Sequence, residues 1–429
     1  MQQLALFGDQ EANRPTKVDT SSCFTSNMSL PIHRWFRYSA GFSALWVREL
    51  VQQSLSSDGL RVLDPFCGSG TVLLESELCG AESMGIEAHP FVARVARAKL
   101  AWGVDPGEFA AYAWSIAERA RDMHPQLARY PKLIRKCFPD PVLSRLDSLR
   151  QAWEALAGDG RLRELGWLAL TSILRETSPV GTAQWQYVLP RKSKTQTADP
   201  FVAFRAKIAS MVSDMREWRH FAKGPQARVW VEDARQLASV PDGWADLIIT
   251  SPPYANNYDY ADATRLEMSF WGEVTRWSDL QEAVRKFLVR SCTQHVAHMV
   301  SQTDDMLASP VLDPIRDEIT EVCALLESAR ATRGGRKPYH TMIAGYFQDM
   351  ANVWVQLRRV AGANASVCFV VGDSAPYGVY VPVDRWLGEL AIAAGFTPYH
   401  FEKTRDRNVK WKNRKHRVPL QEGRLWAQA

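Results

Sequence analysis

Two short stretches contain residue types that could perform group transfer. The first, LDPFCGSGT at 63–71, places an acid at the end of an apolar run and follows it with a glycine-rich turn. That order is typical of a buried strand that leads into a cofactor pocket. The second, SPPY at 251–254, follows the apolar run Ala245 to Ile249. Its two prolines stiffen the backbone and remove two amide donors, so that free carbonyl oxygens could accept hydrogen bonds from a substrate amine.

The glycine turn can be compared with the common nucleotide-binding motifs. Gly68 and Gly70 allow positive φ and the close approach of a ligand, and Thr71 is predicted to begin a helix. A phosphate-binding loop would need a lysine before Ser or Thr, and a dinucleotide site would need the GxGxxG spacing. The sequence contains neither at this turn, so it fits neither class.

Together, LDPFCGSGT and SPPY resemble the motifs of the S-adenosylmethionine-dependent DNA methyltransferases that act on exocyclic amino groups. The resemblance implies an α/β fold in which a Rossmann-like seven-stranded methyltransferase sheet carries large helical insertions. It implies S-adenosyl-L-methionine as the cofactor. It also implies cofactor-binding roles for the residues of the glycine motif, which are Asp64, Phe66, Cys67, Gly68, Ser69, Gly70 and Thr71. Of these, Cys67 is also interpreted as a small packing residue.

Acids after the second and third predicted strands extend this pocket. The second strand, Glu82 to Ile86, ends before Glu87, whose carboxylate could accept hydrogen bonds from both ribose hydroxyls of the cofactor. The third strand, Ala227 to Val231, precedes two acids. By the resemblance, Asp233 binds the adenine amino group of the cofactor, and Glu232 is the competitor for that role.

A segment before the glycine motif is the last predicted part of the pocket. Phe42 and Ser43 precede a helical pattern at Leu45 to Val51, and Ser43 can cap that helix. In the family, a segment of this kind lines the cofactor pocket, which implies cofactor contact for both residues.

The catalytic residues predicted from SPPY follow from the chemistry of an exocyclic amine, whose lone pair is delocalised into the ring. If the side-chain oxygen of Ser251 and the backbone carbonyl of Pro252 each accept one amino hydrogen, the lone pair points at the methyl sulfonium. Transfer is then a direct in-line displacement in which positioning supplies much of the rate. Pro253 completes the stiff loop. Tyr254 would stack on the base, which must be flipped out of the duplex.

The target base is predicted from one residue. Family members with Ser before Pro-Pro-Tyr commonly modify cytosine N4, whereas Asp or Asn more often accompanies adenine N6. Ser251 therefore favours cytosine, with adenine N6 as the alternative. Methylation at carbon 5 of cytosine typically needs a Pro-Cys dipeptide, which the sequence lacks.

Two further classes of protein share part of this sequence pattern. RNA or tRNA guanine-N2 methyltransferases have a similar DPFCGSGT motif, but usually carry Asp-Pro-Pro-Tyr and an N-terminal RNA-binding domain. They remain an alternative. A methylase-fold protein that binds nucleic acid without turnover is disfavoured, because Ser251, Tyr254 and the motif glycines are all intact.

Composition and charge bound the class of protein. The 429 residues are 46% hydrophobic and 23% charged, which is typical of a globular protein. No apolar run is long enough to cross a bilayer, and the seven cysteines contain no CxxC pair. We therefore expect a cytoplasmic protein, nucleoid-associated when on DNA, with neither a membrane nor a metal. The expected partner is double-stranded DNA, and a cognate restriction endonuclease is a further candidate.

The net charge of +5 is modest, but basic residues are clustered. The runs Arg405 to Arg417 and Arg333 to Lys337 could neutralise phosphates. A third basic run, Arg191 to Thr197, is expected to be irregular.

The chain is predicted to divide into a catalytic core with two insertions. The predicted segments are an N-terminal arm at 1–30, a methyltransferase core at 31–104, 227–261 and 342–429, a helical insertion at 105–226 and a second helical insertion at 262–341. The first insertion is the candidate for target recognition, because a plain methylase core does not need it.

Overall fold

The computed structural model describes residues 24–39, 41–182, 187–256, 258–332, 337–407 and 418–429. Its strands, in chain order, are β1 (Arg61–Asp64), β2 (Glu82–Ile86), β3 (Val180–Thr182), β4 (Val188–Ser193), β5 (Arg228–Trp230), β6 (Ala245–Thr250), β7 (Ala361–Gly372), β8 (Tyr399–Arg407) and β9 (Leu420–Gln428). Seven of them form one sheet in the order β5-β2-β1-β6-β7-β9-β8, and β3 pairs only with β4. Strand β9 runs antiparallel to β7 and β8.

Helices connect these strands. They are α1 (Ala44–Ser54), α2 (Thr71–Cys79), α3 (Pro90–Leu100), α4 (Pro106–Arg119), α5 (Lys132–Cys137), α6 (Asp140–Ala155), α7 (Gly160–Thr177), α8 (Pro200–Trp218), α9 (Tyr260–Ala263), α10 (Arg265–Trp271), α11 (Leu280–Ala283), α12 (Thr293–Val296), α13 (Thr303–Leu307), α14 (Arg316–Thr332), α15 (Tyr339–Val360) and α16 (Val383–Ala393). In the part of the chain that the structure describes, no helix combines the length and apolarity that crossing a bilayer requires.

The sheet topology brings the two sequence motifs to one edge. Strand β1 pairs in parallel with both β2 and β6, with Leu63 beside Ile248 and Asp64 beside Gly85. Because parallel strands share the edge at which they end, the glycine turn after β1 and the SPPY loop after β6 lie next to each other. That carboxyl edge is where open α/β sheets bind ligands.

Different helices cover the two faces of the sheet. On one face, Trp46 and Val47 of α1 belong to the same apolar cluster as Val62 of β1 and Ile249 of β6. The other face carries α15 and α16, and there the Trp354 ring stacks on Phe369 of β7 with centroids 4.4 Å apart. Burial on both faces explains why the parallel strands are continuous apolar runs in the sequence.

The first insertion shares its core with the sheet domain. Trp167 of α7 packs edge-on against Phe91 of α3 at a centroid distance of 5.4 Å, within one apolar cluster. A buried carboxylate on α8 reinforces this contact, because Asp214 accepts a hydrogen bond from the Trp35 indole at 2.9 Å and pairs with Arg34. The insertion is therefore packed on the catalytic core, and its role in target recognition stays a prediction.

The predicted α/β class and seven-stranded sheet are confirmed, and two details of the prediction are wrong. The basic run Arg191 to Thr197 was expected to be irregular, but it begins inside β4, which pairs with β3. A strand was expected from Phe396, but β8 begins at Tyr399. Pro398 has no amide hydrogen to donate to the ladder, which accounts for the later start.

Candidate active site

The glycine turn after β1 has the backbone geometry of a ligand-binding loop. Gly68 and Gly70 adopt φ of 52° and 86°, and Gly70 is the N-cap of α2. The turn is attached to β2, because the Cys67 amide donates to the Ile86 carbonyl at 2.9 Å. A Cβ at Gly85 would lie 2.9 Å from the Cys67 side chain, so glycine at position 85 makes room for this buried thiol. The turn therefore leads into the start of a helix, where partial positive charge accumulates.

The Glu87 carboxylate lies directly beside this turn. One oxygen accepts the Gly68 amide at 2.9 Å and the other accepts the His89 amide at 2.8 Å. Burial raises the pKa of Glu87 to about 7, although these two amides act in the opposite direction. Each carboxylate oxygen can accept more than one hydrogen bond, so the group is oriented and can still bind two hydroxyls.

Asp64 links the cofactor turn to the catalytic loop. Its Oδ1 accepts the Thr250 hydroxyl at 2.7 Å and the Phe66 amide at 3.1 Å. Burial raises the pKa of Asp64 to about 7, and the two hydrogen bonds partly oppose that shift. Thr250 immediately precedes Ser251, so this bond joins motifs that are far apart in the sequence. The sequence prediction missed Thr250, although its place before SPPY could have suggested it.

A buried lysine lies beneath the same turn. Lys99 of α3 donates to the Ser69 hydroxyl at 3.3 Å and to the His33 carbonyl at 3.2 Å. Burial lowers the pKa of this amine to about 7. The Ser69 hydroxyl is therefore hydrogen-bonded within the protein. Thr71, two residues later, is a buried residue of α2. The predicted cofactor roles of Ser69 and Thr71 stay predictions.

Within SPPY, the hydroxyl of Ser251 is oriented by the neighbouring strand. It donates to the Val370 carbonyl at 3.1 Å. Ser251 also hydrogen-bonds the Tyr254 side chain. Because the hydroxyl hydrogen is used in the bond to Val370, the oxygen can act as an acceptor. Pro252 is buried, whereas Pro253 is half-buried.

An arginine covers the ring of Tyr254. The Arg407 guanidinium carbon lies 5.1 Å from the ring centroid, within cation–π range. Arg407 also donates to the Asp373 carbonyl at 2.6 Å, which places it across the end of β7. Burial raises the pKa of the Tyr254 hydroxyl, so it stays protonated. The basic run Arg405 to Arg417 suggested DNA contact but gave no signal for this contact with Tyr254.

The rest of the predicted basic runs is only partly described. Residues 333–336 and 408–417 lie outside the described residues. Arg405, at the start of the longer run, forms two hydrogen bonds of 2.9 Å with the buried Glu422 carboxylate. Arg405 therefore forms an ion pair inside the fold.

The two acids after β5 are both engaged in the structure. Asp233 accepts hydrogen bonds from Arg235 at 2.5 to 2.9 Å, and Arg235 also pairs with Asp349 at 2.9 Å. Glu232 accepts the Ser239 amide at 3.2 Å. The cofactor adenine would therefore have to share the Asp233 carboxylate with Arg235. The predicted contact between Asp233 and the adenine stays a prediction.

The segment before α1 is packed into the protein. Ser43 caps α1 by accepting the Trp46 amide at 3.4 Å, as predicted. Phe42 is only 5% exposed, and its ring packs edge-on against Trp46 at 5.7 Å. Both side chains have structural partners, and their predicted contact with the cofactor stays a prediction.

A buried ion-pair network holds the loop that follows SPPY. Asp259 Oδ2 accepts two hydrogen bonds from Arg285, at 2.5 and 2.9 Å. Among the described residues, potential metal-ligand atoms of Asp259, Cys292 and His295 lie within 4.8 Å of one another. Burial raises the pKa of the Cys292 thiol, and a protonated thiol beside an arginine is a poor metal ligand. These residues fit a structural network, and the absence of a metal stays a prediction.

The sequence is similar to those of known DNA methylases. A family model described as DNA methylase matches residues 8–98. The type II methyltransferase M.BsoBI of Geobacillus stearothermophilus is 25% identical over 87% of this chain and 80% of its own length. M.AvaI of Nostoc sp. strain PCC 7120, also a type II methyltransferase, is 25% identical over the same shares of the two chains.

The fold also aligns with a solved structure. An rRNA methyltransferase, aviRa from Streptomyces viridochromogenes, aligns with 94% of this chain and 92% of its own at 12% identity and a TM-score of 0.30, which is too distant to support an argument. The family model and the two type II relatives support assignment to the amino-methyltransferases, with S-adenosylmethionine as the methyl donor.

Proposed function

We propose that this DNA amino-methyltransferase transfers the methyl group of S-adenosylmethionine to the N4 amine of a cytosine flipped out of duplex DNA. The observation that carries the proposal is the Ser251 hydroxyl, which donates to the Val370 carbonyl and so presents its lone pairs as acceptors. An aspartate or asparagine in place of Ser251 would be the more usual residue for adenine N6. The serine at this position therefore supports cytosine.

The residues of the two motifs would act together. The Ser251 hydroxyl and the Pro252 carbonyl each accept one hydrogen of the target amine, which localises its lone pair. Tyr254 stacks on the base, and the Arg407 guanidinium lies over the same ring. Bound S-adenosylmethionine supplies an electrophilic methyl group on a sulfonium. The bond between Thr250 and Asp64 keeps the amine-binding loop in register with the cofactor turn.

Nucleoside mass spectrometry tests the proposal. The protein would be incubated with labelled S-adenosylmethionine and, in separate reactions, with mixed-sequence duplex DNA or total tRNA, and each nucleic acid would then be digested. We expect label in N4-methylcytosine from DNA. Label in N6-methyladenine would keep the mechanism and refute the inference from Ser251. Label only in tRNA would assign the protein to the guanine-N2 class instead.

Glu87 is expected to bind the cofactor ribose. Glu87→Gln should weaken S-adenosylmethionine binding by about tenfold to a hundredfold, because hydrogen bonds to a charged acceptor are worth about 1.5–3 kcal/mol. Isothermal titration calorimetry would measure the affinity. Glu82→Gln is the matched control, since Glu82 lies at the other end of β2 in an exposed pair with Arg228. Equal affinities for the two variants would remove Glu87 from the site.

The two buried carboxylates Asp64 and Glu87 predict that the stability of the protein depends on pH. Burial raises the pKa of Asp64 from 3.8, and that of Glu87 from 4.5, to about 7. Below pH 7 the folded protein thus keeps protons that the unfolded chain has lost, so its stability should fall as pH rises through about 7. A cationic cofactor binds the ionised carboxylates, so its stabilising effect in thermal unfolding should be larger at pH 8 than at pH 6. Glu87→Gln should reduce that difference.

DNA contact is proposed for the first insertion. Residues 105–226 contain 19 Lys and Arg against 13 Asp and Glu, a net charge of +6, whereas the whole chain carries +5. The hairpin of β3 and β4 exposes Arg191 and Lys192. It is attached to the catalytic loop, because the Tyr187 hydroxyl accepts the Asp259 amide at 2.5 Å. The hairpin thus presents basic side chains close to the place where a flipped base would enter.

Removing these two charges should weaken DNA binding. For Arg191→Ala with Lys192→Ala, we expect the slope of log affinity against log salt to fall in magnitude by about 2, or about 0.9 per lost phosphate contact. Cofactor affinity should not change. The control is Lys223→Ala with Arg228→Ala, two exposed residues at the amino ends of the strands. Equal salt slopes in both double variants would assign the hairpin to ordinary surface.

Two further proposals concern the cellular setting. The type II designation of both relatives motivates a cognate restriction endonuclease as a functional partner. Action on chromosomal DNA would place the protein in the cytoplasm, on the nucleoid.

A further inference from the structure

Two tyrosine hydroxyls beside the catalytic loop are buried and have no hydrogen-bond partner among the described residues. They belong to Tyr258, four residues after Tyr254, and to Tyr346, in α15. Tyr346 is fully buried. Unpaired buried hydroxyls are uncommon in folded proteins, because water bonded to them in the unfolded chain is lost without replacement. Each such group calls for an occupant that the polypeptide does not supply.

Both tyrosines belong to segments that are connected to the SPPY loop. Tyr258 follows Tyr254 by four residues. Helix α15, which contains Tyr346, is connected through the segment at 290–291, because the Asn256 amide donates to the Ser291 carbonyl at 2.9 Å and Arg290 donates to Asp349 of α15 at 2.6 Å. Burial and the neighbouring hydroxyls of Tyr260 and Tyr254 raise the pKa of Tyr346. Burial also raises the pKa of Tyr258, and the hydroxyls of Tyr260, Tyr38 and Tyr254 contribute. Both phenols therefore remain protonated and can act as hydrogen-bond donors.

Ring contacts fix the position of Tyr258. Its ring lies 4.5 Å from that of Tyr260, in a tilted arrangement, and 6.3 Å from that of Tyr187, edge to face. Tyr258 thus belongs to a group of packed tyrosine rings in the segment that follows the SPPY loop.

The chemistry of a flipped base matches these donors. When the exocyclic amine is held by Ser251, the ring nitrogen next to the amine-bearing carbon lies on the adjacent part of the same edge of the base. In cytosine this atom is N3, with the O2 carbonyl beyond it, and in adenine it is N1. All are hydrogen-bond acceptors, and a phenol O–H can donate to any of them. Such bonds would hold the base in the plane that directs its amine at the methyl group.

We propose that Tyr258 and Tyr346 are base-binding residues whose hydroxyls donate hydrogen bonds to the ring acceptor atoms of the flipped base. The inference rests on the proposed function and deepens it by naming the edge of the base that is bound. The competing occupant is ordered water, which would satisfy both hydroxyls without any contribution to turnover.

The test uses three substitutions that each remove one hydroxyl. Tyr258→Phe and Tyr346→Phe keep the ring, and Tyr112→Phe is the matched control. The Tyr112 hydroxyl is also buried, but it belongs to α4, in the first insertion, and lies beside Arg163. Thermal unfolding and cofactor affinity should be close to wild type in all three variants. For kcat/KM on DNA, we expect a loss of about tenfold to a hundredfold in the first two and little change in the control.

An altered base separates direct contact from an indirect effect. Oligonucleotides would carry 3-deazacytosine, which keeps the amine and lacks N3, at the methylated position found by the labelling experiment. The altered base should lower kcat/KM of the wild-type enzyme. In at least one of the variants Tyr258→Phe and Tyr346→Phe, kcat/KM should be almost the same on the altered base as on the normal base. If adenine is the target, 1-deazaadenine serves the same purpose.

The possible failures are distinguishable. Phe variants that behave like Tyr112→Phe, or that lose the same factor as wild type on the deaza base, would overturn the base-binding assignment while the labelled nucleoside still supports the proposed function. If wild-type protein labels no DNA base, the proposed function fails and the assignment fails with it.

Discussion

Replacing Ser251 with alanine is expected to lower kcat for methyl transfer by about 10²- to 10³-fold, the usual cost of removing one oriented hydrogen-bonding group from a transition state. The hydroxyl is held at 3.1 Å from the Val370 carbonyl, so its acceptor lone pairs are positioned before the base arrives. Without it, only the Pro252 carbonyl would accept a hydrogen from the amine. The lone pair would then remain largely delocalised into the ring.

The measurement is single-turnover transfer of labelled methyl groups to DNA, together with cofactor affinity by calorimetry. Ser83→Ala is the control, because Ser83 lies within β2 and its buried hydroxyl has no hydrogen-bond partner among the described residues. Cofactor affinity should be retained in both variants. A wild-type rate for Ser251→Ala would refute the proposed mechanism, and an equal loss in Ser83→Ala would show that the effect is structural.

The parts of the fold that sequence predicts well are those specified by local residues. Strand β2 begins and ends where expected, and α2 begins at Thr71, because an apolar run, an acid and a glycine turn are all short-range signals. The same reasoning gave the cap at Ser43. The family resemblance added the assembly of the strands into one seven-stranded sheet, which no local pattern contains.

Contacts between distant segments could not be predicted in this way. Thr250 binds Asp64 only because two parallel strands end at one edge, and Arg407 reaches Tyr254 only because β8 lies beyond β7 and β9. Tyr346 gives no sequence signal at all, since an aromatic residue in an amphipathic helix is usually core. Its significance comes from an unpaired hydroxyl, which is a property of the folded structure.

The basic runs show a further limit of sequence reasoning. Arg405 and Arg407 look alike in the sequence, yet Arg405 pairs with the buried Glu422 and Arg407 covers an aromatic ring. The charge pattern predicts that phosphates could be neutralised. Which arginines are available for this depends on the carboxylates that the fold places beside them.

The network behind the catalytic loop leads to the largest expected change in stability. In Arg285→Ala, the Asp259 carboxylate, 2% exposed, would lose its ion pair with Arg285 and be left as a buried charge beside His295. Breaking a buried pair in this way costs about 3–5 kcal/mol in the free energy of unfolding. Burial acts to raise the pKa of Asp259, but His295 and Arg285 outweigh it and lower the pKa, so this contribution to stability should be lost at acidic pH.

Chemical denaturation would measure the loss, and a second substitution tests its cause. Adding Asp259→Asn to Arg285→Ala removes the stranded charge, so the double variant should recover part of the stability. The control is Arg385→Ala, which breaks an exposed pair with Glu318 and should cost at most about 1 kcal/mol. Because Asp259 also fixes the loop after SPPY by accepting the Ala261 amide at 3.1 Å, the single variant should lose methyl transfer below its unfolding temperature as well. A change of less than about 1 kcal/mol in Arg285→Ala would mean that solvent reaches the carboxylate and that the network does not hold the loop.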